Sequence, residues 1–204
     1  MPQLSLKNLL PQSTFFTTLF ITGLDHLLGI RQLNRLYEGS ALKGLNKEAF
    51  AARFVDIFEL KLKPLVDFST HIPASGATIV VANHPYGGIE GVILAHLLSS
   101  TRGDVKILAN QALKIIPELA DFFIFTNPLA PGAKGNVQSL MACKAHLDQG
   151  GLLVLFPAGR VSYPNREGQV TDHQWHRMVG TLAAHAKAPV IPCFISGKNS
   201  KMFY

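Results

Sequence analysis

The stretch Asn83-His84-Pro85-Tyr86-Gly87-Gly88-Ile89-Glu90-Gly91 brings an imidazole and a carboxylate within six residues of each other. Histidine is the side chain whose charge is most easily switched near neutral pH. An acid that orients its ring makes it a general base. The apolar run before it, Thr78–Ala82, reads as a buried strand, and the apolar segment after it, Ile89–Leu98, reads as a helix. His84 is therefore expected at the carboxyl end of a strand, where open α/β sheets bind their ligands. Taken alone, the pair has a plainer reading: a strand-to-helix turn in which His84 caps locally and Glu90 merely favours the helix N-terminus.

A second candidate is Phe156-Pro157-Ala158-Gly159-Arg160-Val161-Ser162, which also follows an apolar run and carries an Arg in its turn, suited to a phosphate or carboxylate. A third, Val190-Ile191-Pro192-Cys193-Phe194-Ile195, is a strand with an internal proline, unusual in a central strand. No G-x-S-x-G nucleophile elbow is present. His71, His96, His146, His173, His176 and His185 lack a shared ligand spacing, so no metal site is expected. Ser196-Gly197-Lys198-Asn199-Ser200 lacks the glycine spacing of a phosphate loop.

Elements must bring these stretches together. Thr78–Ala82, Val105–Ala109, Phe122–Thr126, Leu152–Phe156 and Val190–Ile195 are short apolar runs bounded by turn residues. Helical patterns lie between them at Ile89–Leu98, Asn136–Gln149 and His173–Lys187. That alternation predicts an α/β fold with a mostly parallel central sheet flanked by helices. Residues 1–61 read as helical, with Phe15, Phe16, Leu19, Phe20, Leu24, Leu27 and Leu28 early and Phe50, Phe54, Ile57 and Phe58 later. Such Phe-rich amphipathic helices either pack on the sheet or lie in a membrane interface. Pro64, Pro73 and Ser75-Gly76 mark a join, giving an N-terminal helical segment over 1–63 and an α/β part over 64–204.

The composition narrows the partners. Of the 204 residues, 48% are hydrophobic and 16% charged, apolar for a soluble domain. The net charge of +6 favours an anionic partner. The basic residues form no block of the kind that binds nucleic acid, so none is expected. No apolar run is long enough for a transmembrane helix, and the N-terminus lacks the order of a signal peptide. Cys143 and Cys193 form no C-x-x-C pair and read as buried free thiols in a reducing compartment.

In this order and spacing the three candidates resemble the glycerolipid acyltransferases, the lysophosphatidic-acid acyltransferase superfamily. The superfamily's motifs read N-H-x-x-x-x-D, F-P-E-G-T-R-S and V-P-x-x-[IV]. Closer still is its hemolysin-like branch, which includes ornithine-lipid acyltransferases and has N-H-P-x-G-G-x-D-G and F-P-A-G-x-x-S. Asn83–Gly91 and Phe156–Ser162 match these forms, with Glu90 where the branch has Asp and Ala158 where the wider superfamily has Glu. Arg31–Glu38 and Gly197–Ser200 also resemble the branch, and the likeness runs from about Gly23 onward.

The resemblance implies a glycerol-3-phosphate acyltransferase-like αβ fold. It implies O-acyl transfer from acyl-CoA or acyl-carrier protein to a lysolipid hydroxyl, with no further cofactor. His84 would deprotonate the hydroxyl and Glu90 would orient His84. Asn83, Gly87, Gly88, Gly159, Arg160 and Ser162 would bind substrate. It also implies a peripheral site of action on the cytoplasmic face of the inner or plasma membrane. Phe122–Asn127 lacks the Arg of the glycerol-phosphate enzymes, which turns the expectation toward a lyso-aminolipid acceptor such as lyso-ornithine lipid. Members of the family continue with more sheet and helix beyond the point where this sequence stops. The alternative is a catalytically degenerate member that binds lipids or acyl-thioesters without turnover.

Overall fold

The computed structural model describes residue 39, residues 42–127 and residues 134–199. The expectations on residues 1–38 and on Ser200 lie outside the described residues. Five strands, β1 (Thr78–Ala82), β2 (Val105–Asn110), β3 (Phe123–Thr126), β4 (Leu152–Leu155) and β7 (Val190–Cys193), form one parallel sheet in the order β3-β2-β4-β1-β7. Thr78 pairs with Leu152 and Ile79 with Val190.

The two central strands explain why the sequence shows apolar runs rather than alternation. Every residue of β1 and β4 is buried. Val80, Ala82, Leu152 and Val154 face one core, and Ile79, Val81, Leu153 and Leu155 the other. A sheet covered on both faces demands that pattern.

Helices α1 (Lys47–Ile57) and α2 (Ile89–Ser99) supply Phe50, Val92, Leu94, Ala95 and Leu98 to the first core. Helices α3 (Lys134–Asp148) and α4 (Met178–Ala186) supply Cys143, Leu147 and Leu182 to the second. Asn46 caps α1, its side chain accepting the Ala49 N–H at 2.8 Å. The part of the 1–63 segment that is described therefore shares its core with the sheet. The connection after β1 leaves over one face and the chain after β4 reaches α4 on the other. That places His84 and Phe156 side by side where a ligand crevice is expected.

Three details of the elements bear on the sequence reading. Pro192 sits on an edge strand, since β7 pairs only with β1 among the described strands, and an edge tolerates the missing N–H. Helix α4 begins at Met178 rather than His173, because the preceding residues form a turn in which Trp175 Nε1 donates to Asp172 and the His176 N–H to Pro157 O. A short antiparallel ribbon, β5 (Tyr163–Pro164) with β6 (Val170–Thr171), was not expected. Two-residue strands are too short to leave a period. Asn165 builds the ribbon's turn, its Oδ1 accepting the N–H groups of Glu167 and Gln169.

Arg102, only 5% exposed, ties the opposite end of the sheet. Its guanidinium pairs with both oxygens of Asp104 and donates to the carbonyls of Pro73 (3.2 Å), Gly76 (2.7 Å) and Gly150 (2.6 Å). It joins the chain before β1 to the turns before β2 and β4. Truncating it removes this set of charge-assisted bonds together with the packing of a buried side chain, although water can reach the acceptors left behind. Arg102→Ala should lower the unfolding free energy by about 1.5–3 kcal/mol. Urea denaturation checks this, and a change below about 0.5 kcal/mol, the level of an ordinary surface substitution, would contradict it.

Candidate active site

Glu90 is the second residue of α2 and is fully buried. Gly88 opens that helix with no side-chain cap, and Glu90 reaches back to fill the role. Its Oε1 accepts from Tyr86 N–H at 2.7 Å and Gly87 N–H at 3.1 Å, and its Oε2 from Gly88 N–H at 2.9 Å. Turning these amides inward requires Gly87 at φ +92°, a conformation suited to glycine.

The same Oε1 lies 3.1 Å from His84 Nδ1. This nitrogen is buried, and the contact is close but out of line, so Nδ1 makes no well-aligned hydrogen bond to any described residue. Burial pushes the Glu90 carboxyl up. His84 and the amides of Glu90, Gly88 and Tyr86 together outweigh it and bring the pKa down to about 2. Glu90 is thus an anion at neutral pH beside the imidazole.

The imidazole is held on its other sides. The Phe156 ring, from the end of β4, packs 4.5 Å from it, centroid to centroid. The His84 carbonyl accepts the Ser162 N–H at 2.9 Å. With Nδ1 buried, the 17% of the side chain that remains exposed lies on other ring atoms. The arrangement is an imidazole backed by a carboxylate at the end of the two central strands, able to take a proton from a hydroxyl brought to its outer edge.

The remaining expected residues divide into two groups. Asn83 turns both amide atoms to Ile195, donating to its carbonyl at 2.8 Å and accepting its N–H at 2.7 Å. Gly87 and Gly88 give their N–H groups to Glu90. The Ser162 hydroxyl, buried, donates to Asp172. The polar groups of these four residues face the protein. Gly159, at φ +62°, and Arg160 are exposed on the loop after β4, and Arg160 has no hydrogen bond or ion pair to a described residue.

The Gly197-Lys198-Asn199 segment packs on the loop after β1, the one that carries His84. Asn199 donates to Pro85 O at 3.0 Å, and Tyr86 donates through its hydroxyl to Ser196 O at 3.1 Å. A Cβ on Gly197 would sit 1.7 Å from that hydroxyl, so only glycine admits Tyr86 there.

Sequence reasoning missed Asp172 and Trp175, which sit in a polar stretch with no periodicity to mark them. The thiols take no part. Cys143 and Cys193 are both free, and burial pushes Cys143 up to about 12. Among the described residues no group of three metal-ligating side chains gathers.

The Glu90 carboxylate also contributes to stability. Its pKa falls from 4.5 unfolded to about 2 folded, worth about 3 kcal/mol at roughly 1.4 kcal/mol per unit. A depressed carboxyl pKa contributes stability that is fully present above the unfolded value and is lost as pH falls through the folded one. The unfolding free energy should therefore drop between about pH 4.5 and pH 2. Glu90→Gln should be less stable at pH 7 and should show a flatter acid dependence. Equal acid dependence of the two proteins would remove this account of the carboxylate.

Two comparisons with known proteins bear on what the site belongs to. Over 135 residues the chain is 32% identical to a lyso-glycine lipid O-acyltransferase of Bacteroides thetaiotaomicron, covering 66% of this chain and 48% of that protein. Over 189 residues it is 27% identical to a lyso-glycine lipid O-acyltransferase of Phocaeicola vulgatus, covering 90% of this chain and 63% of that one. The chain thus spans about half to three-fifths of the length of these curated relatives. Residues 65–204, which hold the whole sheet and both loops around His84, match the family described as acyltransferase, and the chain belongs to that family.

Proposed function

We propose that the protein moves a fatty acyl group from a thioester donor to the hydroxyl of a lysolipid, with His84 as general base. The observation that carries this reading is the 3.1 Å approach of the buried, ionised Glu90 to His84 Nδ1. A carboxylate at Nδ1 keeps the ring proton there and leaves Nε2 with a free lone pair. Nε2 takes the proton of the acceptor hydroxyl as its oxygen attacks the thioester carbonyl. When the carbon–sulfur bond breaks, the imidazolium returns the proton to the departing thiolate. Glu90 stabilises the imidazolium between these steps. The substrate alcohol is the nucleophile, so none is required of the protein. The out-of-line approach at Nδ1 is expected to tighten once substrate is bound.

The names of both relatives favour an acceptor headed by an amino acid, the class that also includes lyso-ornithine lipid. The donor is acyl-CoA or acyl-carrier protein. Arg160, exposed beside the crevice and unpaired among the described residues, suits either the acceptor's carboxylate or the donor's phosphates. Both the charge of +6 and the exposure of Phe194, Trp175 and Leu65 support action at an anionic surface such as a membrane; the cytoplasmic face is what the family resemblance implies. Among the described residues no helix is long and apolar enough to cross a membrane.

His84→Ala should reduce transfer of a labelled acyl chain to lysolipid by about 10²–10⁴-fold while the fold, followed by circular dichroism, survives. Turnover near that of the unsubstituted protein would sink the mechanism. If lysolipid binds normally but the native protein shows no turnover, the binding-only alternative stands instead. Arg160→Ala should raise the KM of the anionic substrate it meets by about 10–100-fold, as loss of a charged hydrogen bond does, with kcat little changed. Which substrate's KM moves tells donor from acceptor, and an unchanged KM for both removes Arg160 from the site.

A further inference from the structure

Glu90 holds the ring of His84, but a different carboxylate holds the peptide from which that ring projects. Asp172 lies between the β5–β6 ribbon and α4. Its Oδ1 accepts the buried Ser162 hydroxyl and faces the His84 N–H at 3.4 Å. Its Oδ2 accepts Trp175 Nε1 at 2.8 Å. Ser162 in turn donates its own N–H to the His84 carbonyl at 2.9 Å. The His84 peptide groups are therefore gripped on both sides, the carbonyl by Ser162 and the N–H by Asp172. One carboxylate joins the loop after β1, the loop after β4 and the turn before α4.

We propose that Asp172 is a positioning residue: through Ser162 and the His84 main chain it sets the angle at which the imidazole meets Glu90 and the acceptor hydroxyl. The inference rests on the reading of His84 as general base. The imidazole's approach to Glu90 is close in distance and poor in alignment, so a small rotation of the His84 peptide decides whether the pair couples. Asp172 controls that rotation without touching the reacting atoms. If it served only to anchor the ribbon, its loss would cost stability or substrate affinity and leave turnover alone.

The test uses the full chain, a long-chain acyl-CoA and a lyso-amino-acid lipid, with hydrogen exchange and denaturation run beside the kinetics. Asp172→Ala should lower kcat by roughly 10–100-fold, with both KM values held within about twofold, as misplacement of a catalytic group does. Amide exchange should quicken over residues 83–88 and stay unchanged in β2 and β3. Asp172→Asn keeps an oxygen for Ser162 and the His84 N–H while placing an amino group against the Trp175 indole. It should restore kcat to within about fivefold of native, a rescue that a lost charge would not allow. It should also shift the fluorescence of Trp175, the single tryptophan. A native kcat in Asp172→Ala, a kcat loss matched by faster exchange throughout the sheet, or an Asn variant no better than Ala would overturn the proposal. Full activity in His84→Ala would instead overturn the general-base reading, and exchange over 83–88 would still report whether Asp172 grips this loop.

Discussion

The structure around the crevice depends on one buried anion. An isolated carboxylate taken out of water is costly, and it persists only when donors surround it. Glu90, with no exposed surface, has three backbone N–H groups and an imidazole. Satisfying it dictates the path of Pro85 to Gly88, because three successive amides must point at one side chain. It also ties down the start of α2, since the N–H of Gly88, the residue that opens the helix, is bonded by the same carboxylate. The β1–α2 turn is therefore built around the carboxylate, and His84, the residue before that turn, inherits its position.

The rest of the site comes from sheet order. Three stretches distant in the chain converge because β4 and β7 flank β1. Phe156 and Ser162 arrive from the β4 side, one packing on the imidazole and the other bonding its carbonyl. From the β7 side, Ile195 is locked to Asn83 by two hydrogen bonds. The loop that carries His84 is thus held from both neighbouring strands, while Gly159 and Arg160 stay exposed on the loop after β4. This division suits a site whose base must be rigid and whose substrate contacts must be reachable.

The sheet was legible in the sequence because β1 and β4 are buried on both faces, which produces unbroken apolar runs. Histidine at a strand end and a carboxylate in the next helical turn were legible for the same reason: the runs locate the ends. What Asn83 and Ser162 do was not. An amide or a hydroxyl beside a candidate base looks the same in sequence whether it faces substrate or protein, and only the neighbouring strand decides. Asp172 was invisible because the partners that tie it to the site lie 10 and 88 residues away and its surroundings have no period. The start of α4 was misread because the helical pattern runs back through His173, and the hydrogen bonds that override it are made by Asp172 and Pro157.

The position and length of the acid now have a physical account. At residue 90 the side chain starts at the second position of α2 and must reach back past the helix start to meet both the amides of 86–88 and the imidazole of 84. Aspartate there would be shorter by one carbon–carbon bond, about 1.5 Å. A carboxylate pulled back by that distance could not keep Oε1 at 2.7 Å from Tyr86 N–H and 3.1 Å from His84 Nδ1 without moving α2 itself. Moving α2 would disturb Val92, Leu94, Ala95 and Leu98, all closely packed in the first core. Glutamate lets the helix stay where the core requires it while the carboxylate sits where the imidazole requires it, so the extra methylene reconciles packing with chemistry at one residue.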